Sequence, residues 1–199
     1  MFSGIVQNQG KLVRKERQGK QIALTFEATH AWDKPLKKGE SISVNGVCLT
    51  VTTFKKNQFT VQAVPETLAR TTIGVFPLKE SVNLERSLTW GERIGGHFVL
   101  GHVDGVGRIL RKKISGKSFA LEIEIPSSII SFLVPSGSIA VDGISFTLQK
   151  ILPHSVTIAV IPHTAKTTTI GRKKKGDFVN LESDVIAKHL VQMVHSEEK

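Results

Sequence analysis

Residues 41–52 read SISVNGVCLTVT, two alternating apolar and polar runs on either side of Asn45-Gly46. Asn-Gly is the pair best suited to a two-residue hairpin turn, because both turn positions need φ > 0. Such a turn sets Val44 opposite Val47, Ser43 opposite Cys48, Ile42 opposite Leu49 and Ser41 opposite Thr50. Side chains alternate across a strand, so Ile42, Val44, Val47, Leu49 and Val51 share a core-facing surface. The other face is a row of small hydroxyl and thiol groups: Ser41, Ser43, Cys48 (the only cysteine) and Thr50.

The hairpin occurs twice. Residues 138–148 read SIAVDGISFTL, and aligning Asn45-Gly46 with Asp142-Gly143 gives an offset of 97. The same offset pairs Cys48 with Ser145 and Thr50 with Thr147. It pairs PETLARTTIG (65–74) with PHTAKTTTIG (162–171), VNLE (82–85) with VNLE (179–182), and Gly4, Val6 and Gly10 with Gly101, Val103 and Gly107. Agreement at one spacing without gaps marks a duplicated domain of roughly a hundred residues, each copy with its own core.

Within copy one, residues 2–14 read as a short strand or two broken by Gly4 and Gly10. Strands follow at 22–28, in the hairpin, at 58–64 and around 82–85, with a short helix or turn in 65–72. Copy two repeats the order at 119–125, the second hairpin, 156–161 and 178–182, after a link at 86–96. Many short strands between Gly and Pro signals indicate an all-β protein, and closure into small barrels removes exposed edges. Only the tail is new: Ser183 or Asp184 caps a helix through about His195, with Ile186, Leu190, Met193 and Val194 on one stripe. A lone amphipathic helix needs a partner surface, which favours oligomerisation.

Composition narrows the class. Apolar content of 40% and charged content of 22% suit a soluble globular chain, and no run is long enough to span a membrane. Met1-Phe2-Ser3 begins without a basic, hydrophobic signal segment. One cysteine excludes an intrachain disulfide framework and fits the cytoplasm. The net charge of +10 raises nucleic acid as a partner. However, the basic clusters Lys11–Lys20, Lys34–Lys38, Arg111–Lys117 and Arg172–Lys175 lack interleaved aromatics and read as solvated loops. There is no Gly-rich phosphate loop, G-x-S-x-G elbow or dinucleotide fingerprint, which argues against ATP- and NAD-dependent chemistry. His97 and His102 lack the further ligands a metal needs.

The polar hairpin face is the site candidate. Hydroxyls and backbone amides bond well to flat heterocycles bearing carbonyls and ring nitrogens, and Cys48 adds a nucleophile or base. The competing reading is a solvent-facing sheet with Cys48 as packing; retention of Ser41/Ser138, Thr50/Thr147 and Thr67/Thr164 in both copies weighs against it. Where the copies differ, Cys48 becomes Ser145, Glu66 becomes His163 and Ile5 becomes His102, which suggests two similar pockets with unequal tasks. His102 has the unperturbed pKa for proton transfer near neutrality, and its spacing from His97 places at most one of them in a given pocket.

MFSGIV, NGVCLTV, PETLARTT, IGGHFVLGHVDG, VDGISFTL and VNLESD, spread over nearly the full length, resemble the riboflavin synthase family of duplicated lumazine-binding domains. The resemblance implies two six-stranded Greek-key barrels in tandem (1–96 and 97–183), a C-terminal helix (184–199) that builds a homotrimer, and no cofactor or metal. It implies dismutation of two 6,7-dimethyl-8-ribityllumazine molecules by four-carbon transfer, giving riboflavin and 5-amino-6-ribitylaminouracil, and it admits lumazine synthase as an associate. Carried over by position, one lumazine meets Gly4, Ile5, Val6, Cys48, Leu49, Thr50, Gln62, Ala63, Val64, Pro65, Glu66, Thr67, Gly101, His102 and Val103. The other meets Ser145, Phe146, Thr147, Ile161, Pro162, His163, Thr164, Ala165 and Lys166. The site lies between one subunit's first barrel and its neighbour's second. Cys48, Ser41, His102 and Asp184 match positions linked to catalysis. Two departures fall in the second pocket: Ser136 stands where a ligand-contacting lysine is frequent, and His163 where an acidic residue is usual. The rival is a non-catalytic lumazine- or flavin-binding relative; retention of Cys48, Ser41 and His102 favours the enzyme.

Overall fold

In the computed structural model, which describes residues 1–197, copy one forms β1 (Asn8–Gln18), β2 (Gln21–Ala28), β3 (Ser41–Val44), β4 (Val47–Lys55), β5 (Gln58–Ala63), α1 (Pro65–Arg70) and β6 (Ser81–Arg86). Copy two forms β7 (Gly105–Ser115), β8 (Ser118–Glu124), α2 (Ser127–Ile130), β9 (Ser138–Val141), β10 (Ile144–Ile151), β11 (Ser155–Val160), α3 (Pro162–Thr167) and β12 (Phe178–Ser183), followed by α4 (Val185–Glu197). Positions 198 and 199 of the expected tail lie outside the described residues. Each copy closes as an antiparallel Greek-key barrel, in the order β1-β2-β5-β4-β3-β6 and, equivalently, β7-β8-β11-β10-β9-β12.

The hairpins have the expected register, with Val44 on Val47, Ser43 on Cys48, Ile42 on Leu49 and Ser41 on Thr50. Asn45 (φ 45°) and Gly46 (φ 79°) are both left-handed, as are Asp142 (47°) and Gly143 (74°), the geometry of a type I′ turn. Ile42, Val44, Val47, Leu49 and Val51 are buried in the first core beside Leu24 and the stacked Phe26–Phe59 pair. The second core is built around Ile109, Leu121, Ile123 and Leu181.

Three expectations need correcting. Gly10 does not break a strand: it sits inside β1, and a Cβ there would come within 2.8 Å of Leu84 and 2.9 Å of the Glu27 carbonyl. The Lys11–Lys20 and Arg111–Lys117 clusters are not loops; they lie mostly on the long β1–β2 and β7–β8 hairpins, so their cations stand on strand rather than on connecting chain. The tail is not the only element without a counterpart, because α2 occupies a place where copy one has bends.

A pseudo-twofold axis joins the barrels at the two turns. The buried Asn83 donates from Nδ2 to the Asp142 carbonyl (2.9 Å) and accepts at Oδ1 from Thr169 N–H (2.8 Å). Its counterpart Asn180 donates to the Asn45 carbonyl (2.8 Å) and accepts from Thr72 N–H (2.8 Å). Gly46 and Gly143 touch across the axis, where a Cβ on either would come within 2.7 Å of the other's backbone nitrogen. The symmetry is broken at one place: Asn45 is matched by the fully buried Asp142, whose Oδ2 lies 3.5 Å from Lys173 Nζ. Burial pushes that carboxyl above its usual range, against the pull of Lys173.

Candidate active site

The axis decides what the polar hairpin faces do. On β3–β4 the inner part of the face is covered: Ser43 is buried, and the half-buried Cys48 packs on a small core of Phe2, Val99 and Ala140 between the barrels. Toward the open end, the half-buried Ser41 faces the exposed Thr50, and exposed Gln62 stands on β5 beyond it. The Cys48 thiol therefore lies at the boundary between packed interface and accessible surface.

The leading segments cross between barrels. Cys48 N–H donates to the Gly101 carbonyl (2.9 Å), and Ser145 N–H donates to the Gly4 carbonyl (2.8 Å). Phe2 and Val99 exchange backbone hydrogen bonds of 2.7 and 3.1 Å where the segments pass. Val103 packs against the first core and Val6 against the second. The candidate first pocket thus gathers residues 48–50, 62–67 and 101–103, and the candidate second residues 145–147, 161–166 and 4–6. Gly4, Ile5 and Val6, which the resemblance grouped with the first lumazine, lie in the structure against the second barrel, because the crossover carries copy one's leader to the other copy. Both approaches are tight, since a Cβ on Gly101 would come within 2.5 Å of the Cys48 Cβ and one on Gly4 within 2.7 Å of the Ser145 Cβ. Both glycines also have φ near +80° (80° and 75°).

Two carboxylates that sequence reasoning did not single out hold these segments. Glu85 accepts from Ser3 N–H (2.7 Å), Ser3 O–H (2.7 Å) and Gly4 N–H (3.1 Å). Glu182 accepts from Leu100 N–H (2.7 Å) and Gly101 N–H (3.0 Å). The repeated VNLE was visible, but only the fold shows its glutamates turned inward to backbone amides. Burial raises both carboxyls above their ordinary value of 4.5, with the amide hydrogen bonds opposing it. A carboxyl whose folded pKa is raised contributes stability that is present at low pH and lost as pH rises through the folded value. The melting temperature of the wild type minus that of Glu85→Gln is therefore expected to increase as pH is lowered from mildly alkaline toward 4.5. Since glutamine does not titrate, a difference that shrinks on acidification would contradict the assignment.

The four catalytic candidates divide between the two candidate pockets. Ser41, Cys48 and the exposed His102, next to Gly101, belong to the first. Asp184 belongs to the second: its Oδ1 caps α4 at Ile186 N–H (2.9 Å), and its charge acts on His97. His97 is buried with Nδ1 2.7 Å from Ser145 Oγ on the second hairpin, whereas His102 follows Gly101, whose carbonyl accepts from Cys48 N–H on the first. Asp104, also missed from sequence, ties α4 to the second barrel by accepting from Ser183 N–H and O–H (2.8 Å each) and pairing with Lys188 (2.7 Å).

The remaining carried-over residues are spread along these edges. Glu66 and Val64 in the first pocket and Ile161, Pro162, His163 and Lys166 in the second are exposed around α1 and α3, while Thr67, Thr164 and Ala165 are half-buried. Leu49, Ala63 and Phe146 turn into the barrel cores, leaving only their backbone for a ligand. Ser136 is exposed in a left-handed turn (φ 61°). Two clefts elsewhere, about 330 Å³ around Thr72, Thr169 and Lys173 and about 870 Å³ around Trp32, Glu40 and Arg86, are lined by none of these residues.

Comparison with known proteins places this arrangement. The model of the lumazine binding domain matches residues 3–87 and again 100–184. Riboflavin synthase of Actinobacillus pleuropneumoniae is 40% identical over 194 residues, covering 98% of this chain and 90% of that protein. Riboflavin synthase of Bacillus subtilis is 40% identical over 195 residues, with the same coverage. Among solved structures, LumP complexed with riboflavin superposes with a TM-score of 0.82 at 23% identity, over 92% of this chain and 99% of that one; at that identity the likeness concerns the fold.

Proposed function

From the premise that this chain belongs to the lumazine-binding domain family in its duplicated form, we propose that it works as a riboflavin synthase. The reaction is dismutation of two 6,7-dimethyl-8-ribityllumazine molecules by transfer of a four-carbon unit, yielding riboflavin and 5-amino-6-ribitylaminouracil. The chain is accordingly a transferase of riboflavin biosynthesis, like the relatives 40% identical to it over nearly its whole length. The observation that carries the reading is the reciprocal construction of two like pockets with different polar groups, Cys48 with His102 in one and Ser145 with Asp184 nearby in the other.

The reaction needs two rings stacked in register, one from each kind of pocket. We therefore place the working site between one subunit's first barrel, residues 1–96, and its neighbour's second barrel, residues 97–183. The C-terminal helix α4 forms the trimer contact in the cytoplasm. The apolar stripe of α4 supports this, with Ile186, Leu190, Met193 and Val194 between 52% and 64% exposed. Holding two reactants in register removes about 7–11 kcal/mol of barrier, so positioning dominates. What remains is proton traffic: deprotonation of an activated methyl group and attack on the neighbouring ring carbon, served by Cys48 and Ser41 as base or nucleophile and His102 as proton carrier.

Incubation of the purified protein with 6,7-dimethyl-8-ribityllumazine is expected to develop riboflavin fluorescence. Binding without product would instead assign the chain to non-catalytic lumazine carriers. Cys48→Ala is expected to lower turnover at least about a hundredfold, the scale of lost proton-transfer or nucleophilic help, with lumazine affinity little changed. Turnover equal to wild type would reduce Cys48 to packing.

A further inference from the structure

We infer that His97 is a positioning residue, fixing the Ser145 hydroxyl of the second pocket as a hydrogen-bond donor to the bound heterocycle; the inference rests on the riboflavin synthase reading. Ser145 is the counterpart of Cys48, half-buried at the pocket edge and bound through its own N–H to the Gly4 carbonyl. An unrestrained serine hydroxyl rotates among its neighbours and offers a ligand either a hydrogen or a lone pair. Here the rotation is constrained. His97 Nδ1 lies 2.7 Å from Ser145 Oγ, and the main chain that carries the ring is fixed by the His97 backbone N–H donating to the Ser3 carbonyl (3.2 Å). The preceding residue, Gly96, passes so close that a Cβ would stand 2.7 Å from the Ser145 Cβ and 2.9 Å from its Oγ.

The direction of the bond follows from the other ring nitrogen. His97 Nε2 is buried without a partner among the described residues. Burial also favours the uncharged ring, with Asp184 opposing it. If Ser145 donated to Nδ1, the ring proton would sit on Nε2 as an orphaned buried N–H, which native structures rarely tolerate. With the proton on Nδ1, the histidine donates, Nε2 keeps only an unshared lone pair, and the Ser145 hydrogen is released toward the pocket. A donor there suits the carbonyl oxygens and ring nitrogens of a lumazine, more so as negative charge spreads onto them when a methyl proton leaves. Copy one has no such device: among the described residues, Cys48 packs on the apolar Phe2, Val99 and Ala140. The first pocket therefore carries a thiol without an imidazole behind it, and the second a hydroxyl aimed by one.

The test is riboflavin formation by full-length His97→Ala, His97→Asn, His97→Gln, Ser145→Ala and the His97→Ala/Ser145→Ala double variant, with melting temperatures recorded. An asparagine amide reaches the place of Nδ1, and a glutamine amide that of Nε2. The expectation is a loss of about tenfold in kcat/KM for His97→Ala, the scale of one hydrogen bond to a charge-bearing group. Recovery is expected in His97→Asn but not in His97→Gln, and no further loss when His97→Ala is added to Ser145→Ala. Turnover of His97→Ala equal to wild type overturns the inference. So do equal losses in the Asn and Gln variants, additive losses in the double variant, or failure of all three His97 variants to fold, each of which makes His97 a packing residue. A wild-type protein that makes no riboflavin would sink the underlying function instead, before any His97 variant is compared.

Discussion

Asn83→Ala is expected to destabilise the protein by about 4 kcal/mol. The side chain pairs across the pseudo-twofold axis with the Asp142 carbonyl and the Thr169 amide, in a region without access to water. Alanine leaves both backbone groups buried and unpaired, at about 1–3 kcal/mol each, and a small cavity adds to the cost. Because domains are stable by about 5–15 kcal/mol, the variant should still fold, with its urea midpoint clearly lowered. Asn180→Ala should match it, since its bonds to the Asn45 carbonyl and Thr72 amide have the same lengths to within 0.1 Å. A change under about 1 kcal/mol in both would show that the barrels are held by the Phe2–Val99 contact and not by the asparagines.

Truncation after Asp184 is expected to produce folded monomers with turnover reduced by a hundredfold or more. Both barrel cores lie entirely upstream of α4, so the sheets should survive. What is lost is the stripe of Ile186, Leu190, Met193 and Val194, and with it the surface we assign to assembly. Displacements of about 1 Å between reacting groups cost about a hundredfold, and separate subunits displace them without limit. Sedimentation paired with riboflavin assay decides the matter: a fully active monomer would remove the intersubunit site.

Much of the fold was legible because hairpins are local. Asn45-Gly46 and Asp142-Gly143 specify their turns by backbone conformation alone, the alternation around them fixes register, and the offset of 97 carries one copy's reading to the other. The long β1 and β7 strands were misread because their outer ends turn mostly polar side chains outward, so no apolar alternation marks them and the lysines and arginines there resemble loop. The site was legible residue by residue but not in its grouping. Nothing local in MFSGIV shows that Gly4 lies against Ser145, 141 positions away, or that Glu85 and Glu182 spend their carboxylates on backbone amides. Likewise, the spacing of His97 and His102 already sets them apart, but only the fold shows that His97 is the one buried against Ser145.

That crossover separates the unit that folds from the unit that binds. Each barrel closes its own sheet, yet each pocket borrows its rim from the other barrel's leader. A first barrel expressed alone would keep its core and lose Gly101, His102 and Val103. It would also carry, in Gly4, Ile5 and Val6, a spare leader of the same shape looking for a barrel. Two such copies could each lend the other what it lacks, with Gly46 meeting Gly46 on a true twofold. Duplication within one chain then reads as a covalent version of a dimer, and the fusion is what allowed one rim to keep isoleucine at position 5 while the other took histidine at 102.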